Sequence, residues 1–198
     1  MNKALFLFIS SLLFVCAMPA GAQQVGIKTN ILYWATTTPN LGAEVALGRK
    51  LTIDLTGSYH PWRFGSREDN KKLQHWLVRP EVRFWPYEKW DGHFLGVHGL
   101  LGSYNAGGID LPFPPLNHLR ESRYEGYAAG GGFSYGYQWF LGTHWNLEVT
   151  AGLGYTYLNY ERYECRRCGD RLGKSHKHWV GPTNLGVSVI YLFKSKRN

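Results

Sequence analysis

One stretch, Glu125 to Trp139 (EGYAAGGGFSYGYQW), constrains the fold of this chain more than any other. Its alternate residues form two unlike faces, one mostly aromatic and the other mostly glycine. A strict period of two predicts a β-strand whose faces meet different surroundings. The stretch is long for a strand of a soluble protein, and its glycine face leaves little room for solvated side chains. The pattern therefore favours a narrow transmembrane β-barrel, with aromatic residues outside and small residues inside.

The N-terminal segment has the organisation of a secretory signal peptide. Lys3 precedes an apolar run from Ala4 to Met18, and Ala20-Gly21-Ala22 follows that run. The run is short for a membrane-spanning helix, so we predict a signal peptide at 1–22 that is cleaved after Ala22. Val15 before Cys16 is not the small residue that a lipoprotein peptidase requires, which argues against lipidation. No later stretch reaches the length of a transmembrane helix, so a membrane crossing must use strands.

The rest of the chain, 23–198, is predicted to form one domain of eight strands. The strands are predicted at 25–35, 40–47, 51–59, 75–85, 93–105, 125–139, 145–160 and within 179–193. The connections at one end are compact and three of those at the other end are long, as in outer-membrane barrels. Aromatic residues near both ends of the strands suit two lipid–water interfaces. We therefore predict an all-β fold, an eight-stranded antiparallel transmembrane β-barrel of the outer-membrane type, located in the cell outer membrane.

The strand faces that are predicted to point inward carry a nearly balanced set of charges. These residues are Lys28, Glu44, Asp54, Arg79, Glu81, Arg83, His98 and Glu148. A soluble ligand-binding barrel would have to bury such charges in an apolar core, which is costly. An eight-stranded barrel is only wide enough for its own side chains, so we interpret the set as a paired plug of the lumen. A proton or ion path is the alternative interpretation.

A charged segment, 161–178, is predicted to be an outer loop. It contains Cys165 and Cys168 two residues apart, followed by His176 and His178. Such spacing is typical of zinc ligands, whereas an oxidising export route favours a disulfide. A reduced dithiol is the third alternative, and the sequence leaves all three open. Apart from this zinc site, no cofactor is expected.

The formal net charge of +8 indicates an anionic partner class. Because an exported chain rarely meets nucleic acid, the basic loops are predicted to face outer-membrane lipid and lipopolysaccharide. Binding of an acidic external partner is a more specific interpretation of the same positive charge. Histidine and serine residues that lie near the predicted outer rim are His60, His75, His118, Ser58, Ser66 and Ser122. Their spacing is not diagnostic of an enzyme, so no catalytic residue is assigned. The pattern from Asn184 to Phe193 is similar to the terminal-strand signal read by the barrel assembly machinery.

Several segments of the chain resemble an uncharacterised family. They include GIKTNILY (26–33), HWLVRPEVRFW (75–85), YEGYAAGGGFSYGYQWFLG (124–142), YECRRCG (163–169) and GPTNLGVSVIYLFK (181–194). It is a domain-of-unknown-function family of small outer-membrane β-barrel proteins of gram-negative gut and oral bacteria. Its members are often encoded near fimbrial or adhesin components, so the resemblance implies a role in surface structures. It implies no catalytic residue.

We therefore expect a non-enzymatic outer-membrane barrel with a plugged lumen and basic extracellular loops. Its expected role is that of a surface, adhesion or fimbria-associated structural or binding protein, with a fimbrial or adhesin component as the partner. A lipid A-modifying rim enzyme, either a deacylase or an acyltransferase, is one alternative. A small pore is the other.

Overall fold

The computed structural model describes residues 24–64, 71–107, 122–164 and 171–193. Its strands are β1 (Val25–Asn30), β2 (Asn40–Ala46), β3 (Leu51–His60), β4 (Arg63–Phe64), β5 (Lys71–Phe84), β6 (Gly92–Gly107), β7 (Ser122–Phe140), β8 (Trp145–Glu164) and β9 (Arg171–Leu192). The helix α1 is Ile31–Ala35. Within these ranges no helix is long and apolar enough to cross a membrane. The predicted signal peptide at 1–22 lies outside them.

Eight of the strands form a closed antiparallel ring. Strands that follow one another in the chain are paired, β3 pairs with β5, and β9 returns to pair with β1. The two-residue strand β4 adds only a short pairing to the far end of β5. The predicted all-β fold with eight antiparallel strands is thereby confirmed.

The pairing register shows that the strands of the ring are steeply staggered. One line of paired residues runs from Gly26 through Glu44, Asp54, Glu81, His98, Gly132 and Gly154 to Gly181 on β9. Gly26 itself pairs on its other side with Leu192, eleven positions further along β9. Strands must tilt and shift in this way for a sheet to close on itself.

Burial in the ring is the reverse of burial in a soluble protein. On β3 the inward side chains are polar and buried, and the outward ones are apolar and exposed. The same alternation continues around the ring, where the exposed outward residues include Leu41, Val82, Leu95, Val97, Leu101, Phe133, Leu153 and Leu185. Charged groups therefore lie inside the ring, and its outer wall is apolar.

The first predicted strand, 25–35, is wrong beyond Asn30, where the chain turns into α1. The side chain of Asn30 caps this helix by accepting a hydrogen bond from the Leu32 amide at 3.0 Å. Asn40 accepts from the Asn30 amide at 2.7 Å and donates to the Asn30 carbonyl at 3.0 Å. These side-chain bonds take the place of further β1–β2 pairing. Trp34, which the alternation of an uninterrupted strand over 25–35 would point inside with Lys28, is consequently exposed.

The predicted outer loop at 161–178 is also wrong over most of its length. β8 continues to Glu164 and β9 begins at Arg171, so the two strands form a long hairpin. The register of this hairpin shifts between Gly152 and Leu153, which leaves Thr183 as an extra residue on β9. The segment between the two strands, with Cys165 and Cys168, lies outside the described residues.

The glycines of β7 are explained by the closeness of β8. A Cβ atom at Gly132 would lie 2.2 Å from the Leu153 carbonyl oxygen, and one at Gly130 would lie 2.3 Å from that of Tyr155. Gly96 on β6 is different, since its Cβ would lie 2.1 Å from a carboxylate oxygen of Glu81. Some glycines therefore admit a neighbouring backbone, and others make room for charged side chains.

Candidate functional site: the charged interior of the ring

The eight charged or titratable residues that were predicted to point inward are all buried in the ring. Their exposed fractions do not exceed 5% for Lys28, Glu44, Asp54, Arg79, Glu81, Arg83, His98 and Glu148. They come from six of the described strands, because alternate residues of each strand share its inner face. Six of them form one connected group, and Arg79 and His98 lie beside it.

Arg83 is the centre of the connected group. Its Nη1 atom lies 2.7 Å from Glu148 Oε2 and 2.9 Å from Glu44 Oε2. Its Nη2 atom lies 3.3 Å from Glu81 Oε2 and 3.2 Å from the second oxygen of Glu148. One guanidinium therefore holds three carboxylates from different strands, in a geometry that suits its fixed fork of donors.

Lys28 completes the group from the opposite side. Its Nζ atom lies 2.6 Å from Asp54 Oδ2, 3.5 Å from Glu44 Oε2 and 3.6 Å from Glu148 Oε1. With Arg83, two cations thus face four carboxylates. Buried charges are tolerated only when they are paired in this way and hydrogen-bonded as well.

Hydroxyl groups supply the additional hydrogen bonds. Thr52 Oγ1 donates to Glu44 at 2.5 Å, and Thr56 Oγ1 donates to Asp54 at 2.9 Å. Ser134 donates to Glu81. These contacts occupy carboxylate oxygens that the two cations leave free, so they lower the cost of burying the excess negative charge.

An aromatic layer lies next to the ion pairs inside the ring. Trp85 and Phe94 are fully buried, with ring centroids 4.9 Å apart, and Trp90 packs at 6.4 Å from Trp85. The Arg83 guanidinium carbon lies 4.3 Å from the centroid of the Phe94 ring. Trp85 and Trp90 were predicted to belong to the belt near one membrane interface. The structure instead places them inside the ring.

A second polar layer lies on the other side of the ion pairs. His98 Nε2 is 2.8 Å from the hydroxyl of Thr183, the extra residue of the β9 bulge. Asn184 is buried beside them, since a Cβ atom at Gly152 would lie 3.0 Å from both Asn184 Cβ and His98 Cε1. Arg79 is on the inner face of β5, two residues from Glu81, the cross-strand partner of His98. Arg79, His98, Thr183 and Asn184 are referred to below as the upper polar layer.

Only part of the predicted disulfide or metal site belongs to the described chain, because Cys165 and Cys168 lie outside it. His176 and His178 lie on β9 and are exposed, with ring centroids 5.6 Å apart. Their neighbours are Tyr155, whose hydroxyl bonds His178 Nδ1, and Tyr157. In the described ranges no three His, Cys, Asp or Glu residues are grouped as metal ligands.

Two histidines stack at the end of β3 and the facing part of β5. His60 and His75 are cross-strand partners with ring centroids 5.2 Å apart and nearly parallel planes. Burial, together with the smaller effect of the neighbouring His60, lowers the pKa of His75 to about 4. The pair therefore favours the uncharged form of His75.

Sequence reasoning identified the charged inner residues but missed the groups that complete the site. Phe94 and Ser134 lie on inner faces and could have been found from the period of two. Thr183 could not, because only the bulge turns its side chain toward His98.

Comparison with known proteins identifies the family but no activity. A family model with the description "Protein of unknown function (DUF3575)" matches residues 6–193. No curated protein and no solved structure matches the chain. The match covers nearly the whole sequence and includes every described strand. The chain therefore belongs to this uncharacterised family of unknown function.

Proposed function

We propose that this protein is an outer-membrane β-barrel with a plugged lumen, which acts at the cell surface as a non-enzymatic binding or structural protein. The single observation that carries the proposal is the reversed burial of the closed ring. Fully buried ion pairs fill its interior, while its outer wall is apolar and exposed. An apolar wall of this extent is unfavourable in water and favourable in lipid.

The dimensions of the apolar wall support a membrane location. β3 and β5 pair from Leu51 with Phe84 to Tyr59 with Trp76, which gives each strand nine residues across the wall. A tilted transmembrane strand needs about 9–11 residues. Exposed aromatic residues mark both ends of the wall: Tyr59, Trp62, Trp76, Tyr127 and Tyr155 at one end, and Phe84, Tyr87, Trp139, Trp145 and Phe193 at the other. His60 and His75 lie just beyond the first of these belts.

The paired interior supports a closed lumen rather than a pore. Arg83 is held by three carboxylates and Lys28 also faces three. The aromatic layer of Trp85, Trp90 and Phe94 lies beside them. An ion that crosses the barrel would have to break several buried ion pairs, each at a cost of several kcal/mol, on the order of 3–5.

The hairpin of β8 and β9 is the proposed binding surface for an external partner. β9 presents exposed Lys174, His176, Lys177 and His178 beyond the aromatic belt at Tyr155. Basic side chains just beyond the aromatic belt suit the phosphates of lipopolysaccharide and an acidic surface on a partner protein. A fimbrial or adhesin component is the partner class that the family resemblance suggests.

Localisation and closure can be tested together. The full chain is expressed in a gram-negative host, and the membranes are fractionated. We expect the protein in the outer membrane, with a folded form that migrates differently from the boiled form in SDS gels. Recovery in a soluble fraction would refute the proposal. Purified protein in planar bilayers is expected to give no conductance, and regular conductance steps would instead support the pore.

Partner capture needs a variant that leaves the barrel intact. Replacement of Lys174, His176, Lys177 and His178 by serine removes the basic surface of β9 without shortening a strand. We expect this variant to reach the outer membrane but to lose the proteins captured from intact outer membranes by the wild type. Arg49→Ser with Lys50→Ser, at an exposed turn on the opposite end, is the control. Unchanged capture would rule out this surface, and altered lipid A acylation on overexpression would support the enzyme instead.

A further inference from the structure

The upper polar layer contains buried groups that no described residue satisfies. Arg79 is 5% exposed, its Nε atom has no hydrogen-bond partner, and no described carboxylate lies within 4 Å of its guanidinium. His98 Nδ1 and both amide atoms of Asn184 also have no partner among the described residues, and both side chains are at least 97% buried. Buried polar groups in native proteins are almost always paired, so this cluster points to a ligand.

These groups converge on one place. Thr183 Oγ1 lies 2.8 Å from His98 Nε2, and His98 and Asn184 both approach the position of a Cβ at Gly152 to 3.0 Å. Arg79 lies on the same face of β5 as Glu81, two residues away, and Glu81 is the cross-strand partner of His98. A ligand of a few atoms could therefore contact all the members of the layer at once.

The upper polar layer lies where the accessible part of the interior begins. Along β7, inward Ser134, Gly136 and Gln138 are buried, whereas inward Gly132 and Gly130 are partly exposed. Along β8, Gly152 is buried and Gly154 is partly exposed, and Thr156 beyond them is buried again. His98 pairs with Gly132, so the layer forms the floor of the partly exposed interior along β7 and β8, on the side of the ring where His60 and His75 lie.

We propose that this floor binds one carboxylate group of a ligand that enters from the outer end. Arg79 supplies a planar set of N–H donors that matches a carboxylate, and the Asn184 amide supplies another donor. The hydrogen-bonded pair of His98 and Thr183 supplies one more, from either the imidazole or the hydroxyl. The charge of the interior limits the ligand to a single negative charge. Two cations already face four carboxylates below the layer, so a dianion such as phosphate would be repelled more strongly than a monocarboxylate.

The test observes Arg79 directly in the full-length protein. Protein labelled with ¹⁵N-arginine is purified in detergent micelles, and the Nε–H signal of Arg79 is assigned by its loss in Arg79→Lys. Sodium acetate is then titrated at constant ionic strength, with sodium chloride and sodium phosphate as parallel titrations. We expect a saturable shift of the Arg79 signal with acetate and none of the exposed Arg49.

Variants of the floor distinguish a site from a general salt effect. Asn184→Ala should weaken acetate binding by about tenfold, the loss expected for one hydrogen bond to a charged group. Arg49→Gln should leave it unchanged. Three results would overturn the proposal: no saturable shift, equal shifts of Arg79 and Arg49, or a stronger response to phosphate than to acetate. Absence of a saturable shift would mean that water satisfies the polar groups of the layer. The wild-type titration decides this even where a variant fails to fold.

A second titration distinguishes two sources of the carboxylate, the C-terminus of a polypeptide and a small free acid. A short peptide with a free C-terminus and the same peptide with an amidated C-terminus are compared with acetate. Tighter binding of the free peptide would support the C-terminus of a polypeptide as the ligand, and equal or weaker binding would support a small free acid. Binding of the amidated peptide at the same affinity would overturn recognition of a carboxylate. The result does not depend on the hairpin partner, because the measurement needs only the folded ring.

Discussion

Arg83 and Glu148 meet across the interior of the ring in a two-point contact. The two nitrogen–oxygen distances are 2.7 Å and 3.2 Å, and both side chains are at most 1% exposed. The two residues belong to β5 and β8, which are not neighbours in the sheet. This pair therefore ties opposite walls of the ring together, which no backbone hydrogen bond does.

Removal of Arg83 should be severely destabilising. Arg83→Met leaves three buried carboxylates without their main partner, which costs about 3–5 kcal/mol of unfolding free energy. Urea unfolding in detergent micelles, followed by tryptophan fluorescence, measures the loss. Arg49→Met, at an exposed turn, should change stability by less than about 0.5 kcal/mol. Equal effects of the two substitutions would contradict a structural role for the ion pairs.

The glycine face of β7 should tolerate no Cβ where β8 is close. Gly132→Ala places a methyl group 2.2 Å from the Leu153 carbonyl oxygen. We expect a loss of about 1–3 kcal/mol, because the two backbones must move apart. Gly57→Ala on β3 is the matched control, since nothing lies within 4 Å of its Cβ position. The same unfolding assay should show little change for the control, and a tolerated Gly132→Ala would disprove the close approach.

The asparagine pair at the end of β1 should contribute to the stability of the ring. Asn40→Ala removes hydrogen bonds to the backbone amide and carbonyl of Asn30 and leaves both groups buried. The expected loss is about 1–3 kcal/mol of unfolding free energy. Asn159→Ala is the comparison, because the one hydrogen bond of its side chain within the described residues is a long contact of 3.5 Å with Tyr157. If both variants unfold at the same urea concentration, the pair has no special role.

The stability of the protein should depend on pH through His75. Its pKa in the folded state is about 4, below the ordinary value of 6.5, because of burial and the neighbouring His60. Between these values the unfolded chain binds more protons, so stability falls as the pH drops from about 6.5 toward 4. His75→Asn should reduce this fall, and His144→Asn should not. A pH profile of urea midpoints that is identical in the wild type and His75→Asn would contradict the prediction.

The charged interior could be predicted because it depends on a simple period. In β3 and β5 every second residue points inward, so the sequence places Asp54, Glu81 and Arg83 on the same side of the sheet. Which cation meets which carboxylate depends on the stagger of the whole ring, which no single strand reveals. The pairing of Arg83 with Glu148 could therefore not be predicted.

The local sequence pattern was misleading where side-chain hydrogen bonds replace the backbone hydrogen bonds between strands. The alternation from Val25 to Ala35 is consistent with a strand, yet Asn30 caps a helix because its side chain can bond the Leu32 amide. At the other end, the charges of 161–178 suggested a loop. In the structure β8 and β9 remain paired through this region, from Leu158 with Lys177 to Arg162 with Gly173.

The stretch from Glu125 to Trp139 shows what the sequence determined and what the tertiary structure determined. By itself the sequence determined that this segment is a long strand with an aromatic face and a bare face, since side-chain alternation is local. The tertiary structure decided why the second face is bare: the β8 backbone passes within 2.2 Å of a Cβ position at Gly132. It also decided that Arg79, His98, Thr183 and Asn184 share one floor. Such proximity arises only when the staggered sheet closes, because closure brings together strands that are far apart in the chain.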